Sequence, residues 1–192
     1  MDPFLVPVQL AIIAVYFARF PILSHAPEPA RSRFSIIACD VKFSLGDWKK
    51  TILIPIVVVL LMYLAWVGFY FTLAKQLPTL SLSDPLPVFV VGNGVLAPLA
   101  EEILQCTLLT SAFIAFTRIY KNRQVVNTLL GAGLLVIAFL FAIIHTNPTP
   151  INFLVRFLGF TVYGAFYYLN DRNILPAVIA HAAWNFCLII PV

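Results

Sequence analysis

Residues 51–74, TILIPIVVVLLMYLAWVGFYFTLA, decide the architecture: 24 residues in a row with no Asp, Glu, Lys, Arg or His. A helix of that length reaches across the ~30 Å hydrocarbon core of a bilayer. In lipid the backbone has no water to bond, so a span must satisfy its N–H and C=O groups internally, as a helix does. Working outward, the rest of the chain is of the same kind. Of its 192 residues 61% are apolar and only 10% charged, with a mean hydropathy of +0.97. A soluble domain carries about 25% charged residues, so this chain has too few to cover a water-facing surface and reads as an integral membrane protein.

Five further apolar stretches flank this one: Pro3 to about Leu23, Val88 to about Phe116, Val126 to His145, Ile151 to Leu169, and Ile174 to Pro191. Together they predict an all-α, polytopic transmembrane helix bundle of about six spans, a multi-pass protein of the cell membrane. The first stretch has Asp2 and no Lys or Arg before it, which reads as a retained helix and not as a cleaved signal. The third is longer than a straight crossing needs, and Gly92, Gly94 and Pro98 within it predict a kink or a broken first half. Residues 1–87 read as scaffold spans with a cytoplasmic loop, and 88–192 as the core that carries the chemistry.

The net charge of +4 does not indicate nucleic acid, because the basic residues lie in short loops beside apolar runs, where they meet lipid headgroups. With six crossings, ten of the 12 Lys and Arg residues fall on one side and only Lys75 on the other. That bias puts the long first loop in the cytoplasm and both termini outside. Cys39, Cys106 and Cys187 are unclustered and read as small buried or interfacial thiols.

Against this apolar background stand Glu101, Glu102, His145, His181 and Asn185. Ionisable side chains inside a bilayer are costly and are usually kept for a function. Residues four apart share a helix face, which pairs Phe141 with His145 and His181 with Asn185. Glu101 and Glu102 point about 100° apart, so one can face a cavity while the other meets a neighbouring helix. A carboxylate near a histidine can deprotonate a water. An imidazole N–H and an amide N–H can stabilise the oxyanion that forms when that water attacks a carbonyl. Glu101, His145 and His181 could equally hold Zn²⁺, although the His-Glu-x-x-His helix of soluble zinc proteases is absent. Simple counting puts His145 near the outer end of its span and His181 in the inner half of its own, so a shared pocket requires one span to start deeper or to tilt.

Three segments carry a resemblance. APLAEEILQC at 97–106 is similar to a Glu-Glu-x-x-x-Arg motif, FAIIH at 141–145 to Phe-x-x-x-His, and HAAWN at 181–185 to His-x-x-x-Asn. In this order they resemble the CPBP family of intramembrane proteases, which includes the type II CAAX prenyl endopeptidases and the Abi-type and bacteriocin-immunity proteins. The resemblance covers about Val88 to Pro191. It implies an endopeptidase of the CAAX prenyl protease 2 type, glutamate-dependent or metal-dependent, acting on a peptide or protein, including a prenylated C-terminus. It also implies that Glu101 and His145 activate water, that His181 and Asn185 stabilise the oxyanion, and that Glu102 supports them.

One position departs from the motif: Cys106 stands where the family has Arg. An Arg there would share a face with Glu102, four residues earlier. Gln105 could donate a hydrogen bond instead, and Arg156, the one basic residue well inside an apolar stretch, is the candidate for the missing charge. A catalytically inactive relative acting as a binding, immunity or regulatory factor is therefore the alternative. Gly159 and Gly164 read as packing residues, and Tyr163, Tyr167, Tyr168 and Trp184 as core or interface aromatics.

Overall fold

The computed structural model describes residues 5–25, 43–74, 85–144 and 150–188, and among them the regular structure is helical, with no strand. Helix α1 covers Leu5–His25, α2 Ile54–Ala74, α3 Leu86–Val91, α4 Ala97–Ile119, α5 Arg123–Ile144, α6 Pro150–Leu169 and α7 Leu175–Cys187. Two π-helical turns lead into longer helices: Lys49–Leu53 precedes α2, and Gly92–Leu96 joins α3 to α4. The break expected around Gly92 and Gly94 is thus a π turn within a continuous helical path.

Three helical segments are long and apolar enough to cross a membrane: Lys49–Thr72, Phe89–Ile119 and Arg123–Ile144. Val6–Phe17 and Leu175–Cys187 are shorter apolar helices. Leu60, Leu61, Leu64 and Phe71 on α2, and Val136, Phe139, Leu140 and Ile143 on α5, are exposed. Such a continuous apolar surface is a liability in water and the expected exterior in lipid. The chain is an all-α membrane helix bundle.

Local chemistry sets the helix ends. Asn122 caps α5, its Oδ1 accepting from the backbone N–H groups of Gln124 at 2.9 Å and Val125 at 3.4 Å. This starts the helix three residues before the apolar run at Val126. Asp47 Oδ1 accepts from Lys49 N at 3.0 Å where the first π turn begins. Pro150 opens α6, a position where its missing N–H costs no helical bond. Helix α1 runs through Pro21 to His25, past the boundary read from sequence, because one proline removes a helical bond without obliging the chain to leave the helix. Helix α7 ends at Cys187, and Pro191 lies outside the described residues.

The 13-residue α7 is the hub: it packs against α2, α4, α6 and both π turns. Helices α4, α5 and α6 pack on one another, and α1 packs on α4. The core between them joins Tyr63 of α2, Ile103 and Leu109 of α4, Phe141 of α5, Phe160 and Tyr167 of α6, and Trp184 of α7. An enclosed helix can carry polar side chains without presenting them to lipid. Cys106 and Cys187 are buried free thiols, while Cys39 lies outside the described residues.

Depth is set at the α6–α7 turn. Asp171 and Arg172 both adopt left-handed backbone there, with φ of 53° and 62°. Asn173 fastens the turn to the segment before α2, its Nδ2 donating to Ser44 O at 2.7 Å and its Oδ1 accepting from Ser44 N at 3.1 Å. The Arg172 guanidinium sits 5.0 Å from the ring of Phe113, six residues before the end of α4. The α6–α7 turn thus lies at the α4–α5 end of the bundle, and α7 runs inward from it until His181 meets the Glu pair.

Candidate active site

Two neighbouring carboxylates on α4 meet one imidazole on α7. Glu102 is fully buried, and its Oε1 lies 2.8 Å from His181 Nδ1. Glu101 Oε2 lies 3.9 Å from the other ring nitrogen, Nε2, with the Glu101 side chain 25% exposed. The angular divergence of adjacent helix residues is thus spanned by a single ring that touches both. With the Nδ1 proton donated to the Glu102 carboxylate, Nε2 is the ring nitrogen that faces Glu101. A separation of 3.9 Å exceeds a hydrogen bond and is within ion-pair reach.

Asn185, one turn beyond His181, is held by a different device. In an α-helix the N–H of Ala97 would bond Asn93 O, but in the π register it bonds Gly92 O. The next residue is Pro98, which has no N–H. The Asn93 carbonyl therefore lacks an intrahelical donor, and Asn185 Nδ2 donates to it at 2.7 Å. One Nδ2 hydrogen of Asn185 is used in this bond, and the amide carries a second. Gly94 makes the approach of α7 feasible: a Cβ there would lie 2.7 Å from Phe186 Cζ.

Aromatic rings fix the imidazole from the α6 side. Tyr163 stacks on His181 at 4.8 Å and 15°, and Phe160 meets it edge-on at 5.6 Å. Gly159 leaves room for the Tyr163 hydroxyl, which a Cβ would meet at 3.2 Å. Gln105, also fully buried, donates from Nε2 to Phe160 O at 2.8 Å. That carbonyl is uncovered because Gly164, one turn on, has no side chain; a Cβ there would lie 2.9 Å from Gln105 Nε2 and 2.3 Å from Leu134 Cδ1. Gln105 thus braces α4 against α6, and its Oε1, like Glu102 Oε2, has no hydrogen-bond partner among the described residues.

Of the residues singled out from sequence, Glu101, Glu102 and His181 come together, and Asn185 follows one turn along the same helix. Arg156 is partly buried on α6 and close enough to Glu101 for their charges to interact. Cys106 is fully buried and supplies no charge. His145 lies outside the described residues. Phe141, four before it, is buried at 4.9 Å from Phe160. Sequence reasoning missed Asn93 and took Tyr163 for a plain core aromatic; Pro98 after Gly92-Asn93-Gly94 was the available signal for the first, and nothing local marked the second. Among the described residues no group of three His, Cys, Asp or Glu side chains is placed to hold a metal ion. They do not by themselves make up a zinc ligand set, and His145, the third candidate ligand, lies outside them.

A buried carboxylate–imidazole pair thus lies beside a second, partly exposed carboxylate, enclosed in a membrane helix bundle. The family model described as type II CAAX prenyl endopeptidase Rce1-like matches residues 83–187, more than half of the chain, and the chain belongs to that family. No curated protein and no solved structure matches it.

Proposed function

We propose that the chain is an intramembrane endopeptidase that cuts a peptide bond at the membrane with a water molecule. It would do so as a multi-pass protein of the cell membrane, with the 118–123 and 170–173 turns in the cytoplasm. The observation that carries this reading is His181 held between two carboxylates, 2.8 Å from Glu102 and 3.9 Å from Glu101. Glu101, the more exposed of the pair, takes a proton from water with His145 as its partner, and the hydroxide attacks the scissile carbonyl carbon. The oxyanion accepts hydrogen bonds from His181 Nε2–H, on the ring whose positive charge Glu102 supports, and from the second Nδ2–H of Asn185. Glu101 then returns its proton to the leaving amine, so that one water is consumed and a carboxylic acid and an amine are released. Glu102 is a positioning residue here, and Arg156 supplies charge beside Glu101.

The family description makes a farnesylated peptide ending in a C-a-a-X sequence the first substrate to try. The full chain in liposomes should release the C-terminal tripeptide, detected by mass, and Glu101→Gln, His145→Ala and His181→Gln should each remove at least about 99% of the activity. A folded Glu101→Gln protein that still cleaves would overturn the assignment.

One observation favours a second reading, in which the chain binds a membrane peptide or partner enzyme without cutting it. Cys106 replaces the motif arginine, and Glu102 Oε2 is buried without a hydrogen-bond partner among the described residues. Under that reading the peptide binds but stays intact, and Cys106→Arg creates cleavage where the wild type has none.

A further inference from the structure

A second site lies at the far end of α4 from the Gly92–Leu96 π turn, where α4, α5 and α6 end or begin. A cleft of about 730 Å³ opens there, lined by Lys121 of the α4–α5 turn, Arg123 at the start of α5, and Asp171 and Arg172 of the α6–α7 turn. Three cations from three chain segments face one carboxylate, leaving an excess of two positive charges, and the N-terminal end of the 22-residue α5 adds the positive end of its dipole. Arg172 is kept beside the cleft by its seat on Phe113. Phe89–Ile119 and Arg123–Ile144, both long and apolar enough to cross a membrane, meet at this point. The cleft therefore sits where hydrocarbon gives way to headgroups.

Two lining residues of the cleft, Asn127 and Tyr168, also line a second cavity of about 360 Å³ between α5 and α6. Its other walls are apolar: Leu109, Leu130, Leu134 and Leu169, with Gly131 providing its width. A Cβ on Gly131 would meet no atom within 4 Å. A basic pocket at the membrane boundary that continues into an apolar groove between two helices has the shape and charge of a phospholipid, which a free phosphate cannot fill.

We propose that this site binds an anionic phospholipid, its phosphate and headgroup among Lys121, Arg123 and Arg172 and one acyl chain in the groove between α5 and α6. It is independent of catalysis at Glu101. The test uses the full chain in neutral detergent, with thermal unfolding followed while dihexanoyl phosphatidylglycerol, dihexanoyl phosphatidylcholine or glycerophosphate is added at constant ionic strength. The anionic lipid should raise the melting temperature and bind at least about tenfold more tightly than the zwitterionic one. Lys121→Gln with Arg123→Gln, both exposed positions, should weaken it about thirtyfold. Gly131→Leu fills the groove without a backbone clash, improves helix propensity, and should weaken the lipid roughly tenfold through about two lost methylene contacts. Equal binding of the two lipids, an equal effect of glycerophosphate, no response to any of the three, or variants that bind as the wild type does would each overturn the proposal.

Discussion

The bond between Asn185 and Asn93 gives the sharpest physical test of the site, because it exists only if Pro98 and the π register leave the Asn93 carbonyl bare. Removing the donor by Asn185→Ala strands that part-buried carbonyl without an intrahelical partner. A lost hydrogen bond with an unsatisfied acceptor costs about 1–3 kcal/mol, and interhelical bonds measured in membrane bundles lie at the lower end, so about 1–2 kcal/mol is expected. Pro98→Ala restores an N–H five residues after Asn93, which the π register can direct at the bare carbonyl, while reversion to an α-helix would return Ala97 N–H to it. Either way the acceptor gains an intrahelical partner, and Asn185→Ala should then cost less than about 0.5 kcal/mol. Pro98 is buried, so Pro98→Ala has its own packing cost, but this appears in both arms of the cycle and cancels. The assay is reversible unfolding in mixed micelles for the wild type, the two single variants and the double variant. The expected coupling is about 1 kcal/mol, favouring the double variant over the sum. Costs that add to within about 0.3 kcal/mol would mean that the Asn93 carbonyl is not waiting for Asn185, and the account of the π turn would fall.

Glu102→Gln keeps an acceptor for His181 Nδ1–H but removes the charge behind it; from the difference between charge-assisted and neutral bonds, kcat should fall about tenfold with KM nearly unchanged, and an unchanged kcat would end the positioning role. Arg156→Gln should lower kcat about tenfold if its charge supports Glu101, and equal activity, with the wild-type arginine directed at lipid headgroups, would remove it from the site. Dialysis against 1,10-phenanthroline should leave cleavage intact, whereas loss followed by recovery on adding Zn²⁺ would replace the glutamate mechanism with a metal one. Gly164→Leu should destabilise by about 1–3 kcal/mol, since even its Cβ would lie 2.3 Å from Leu134 Cδ1 and 2.9 Å from Gln105 Nε2; an unchanged melting temperature would show that α4 and α6 are looser than described.

The membrane bundle could be read from residues 51–74 and the scarcity of charge because lipid imposes a single solution on the backbone, whatever the neighbouring helices do. Glu101, Glu102 and His181 could be read for a related reason: the cost of an ionisable group in such a bundle marks it before its partner is known. Partners are another matter, since they depend on helix depth and register. Glu102 and His181 are 79 positions apart, and nothing local in the sequence between them signals that the two side chains meet. The motif alone pairs Glu102 with the cation missing at position 106. In the fold its Oε1 is matched by an imidazole delivered from α7, and Cys106 fills a buried position in the core around Ile103 and Leu109. Arg156, read as a replacement for that cation, lies close enough to Glu101 for their charges to interact. The substitution therefore leaves a narrower deficit than an unpaired carboxylate: one buried oxygen, Glu102 Oε2, with no hydrogen-bond partner among the described residues. A guanidinium introduced at position 106 would have to enter a closely packed core to reach it, so Cys106→Arg tests whether that oxygen is worth the disruption. If the arginine raises activity without loss of stability, the orphaned oxygen limits catalysis; if it only unfolds the protein, the Glu102–His181 pair is already sufficient to hold the carboxylate in place.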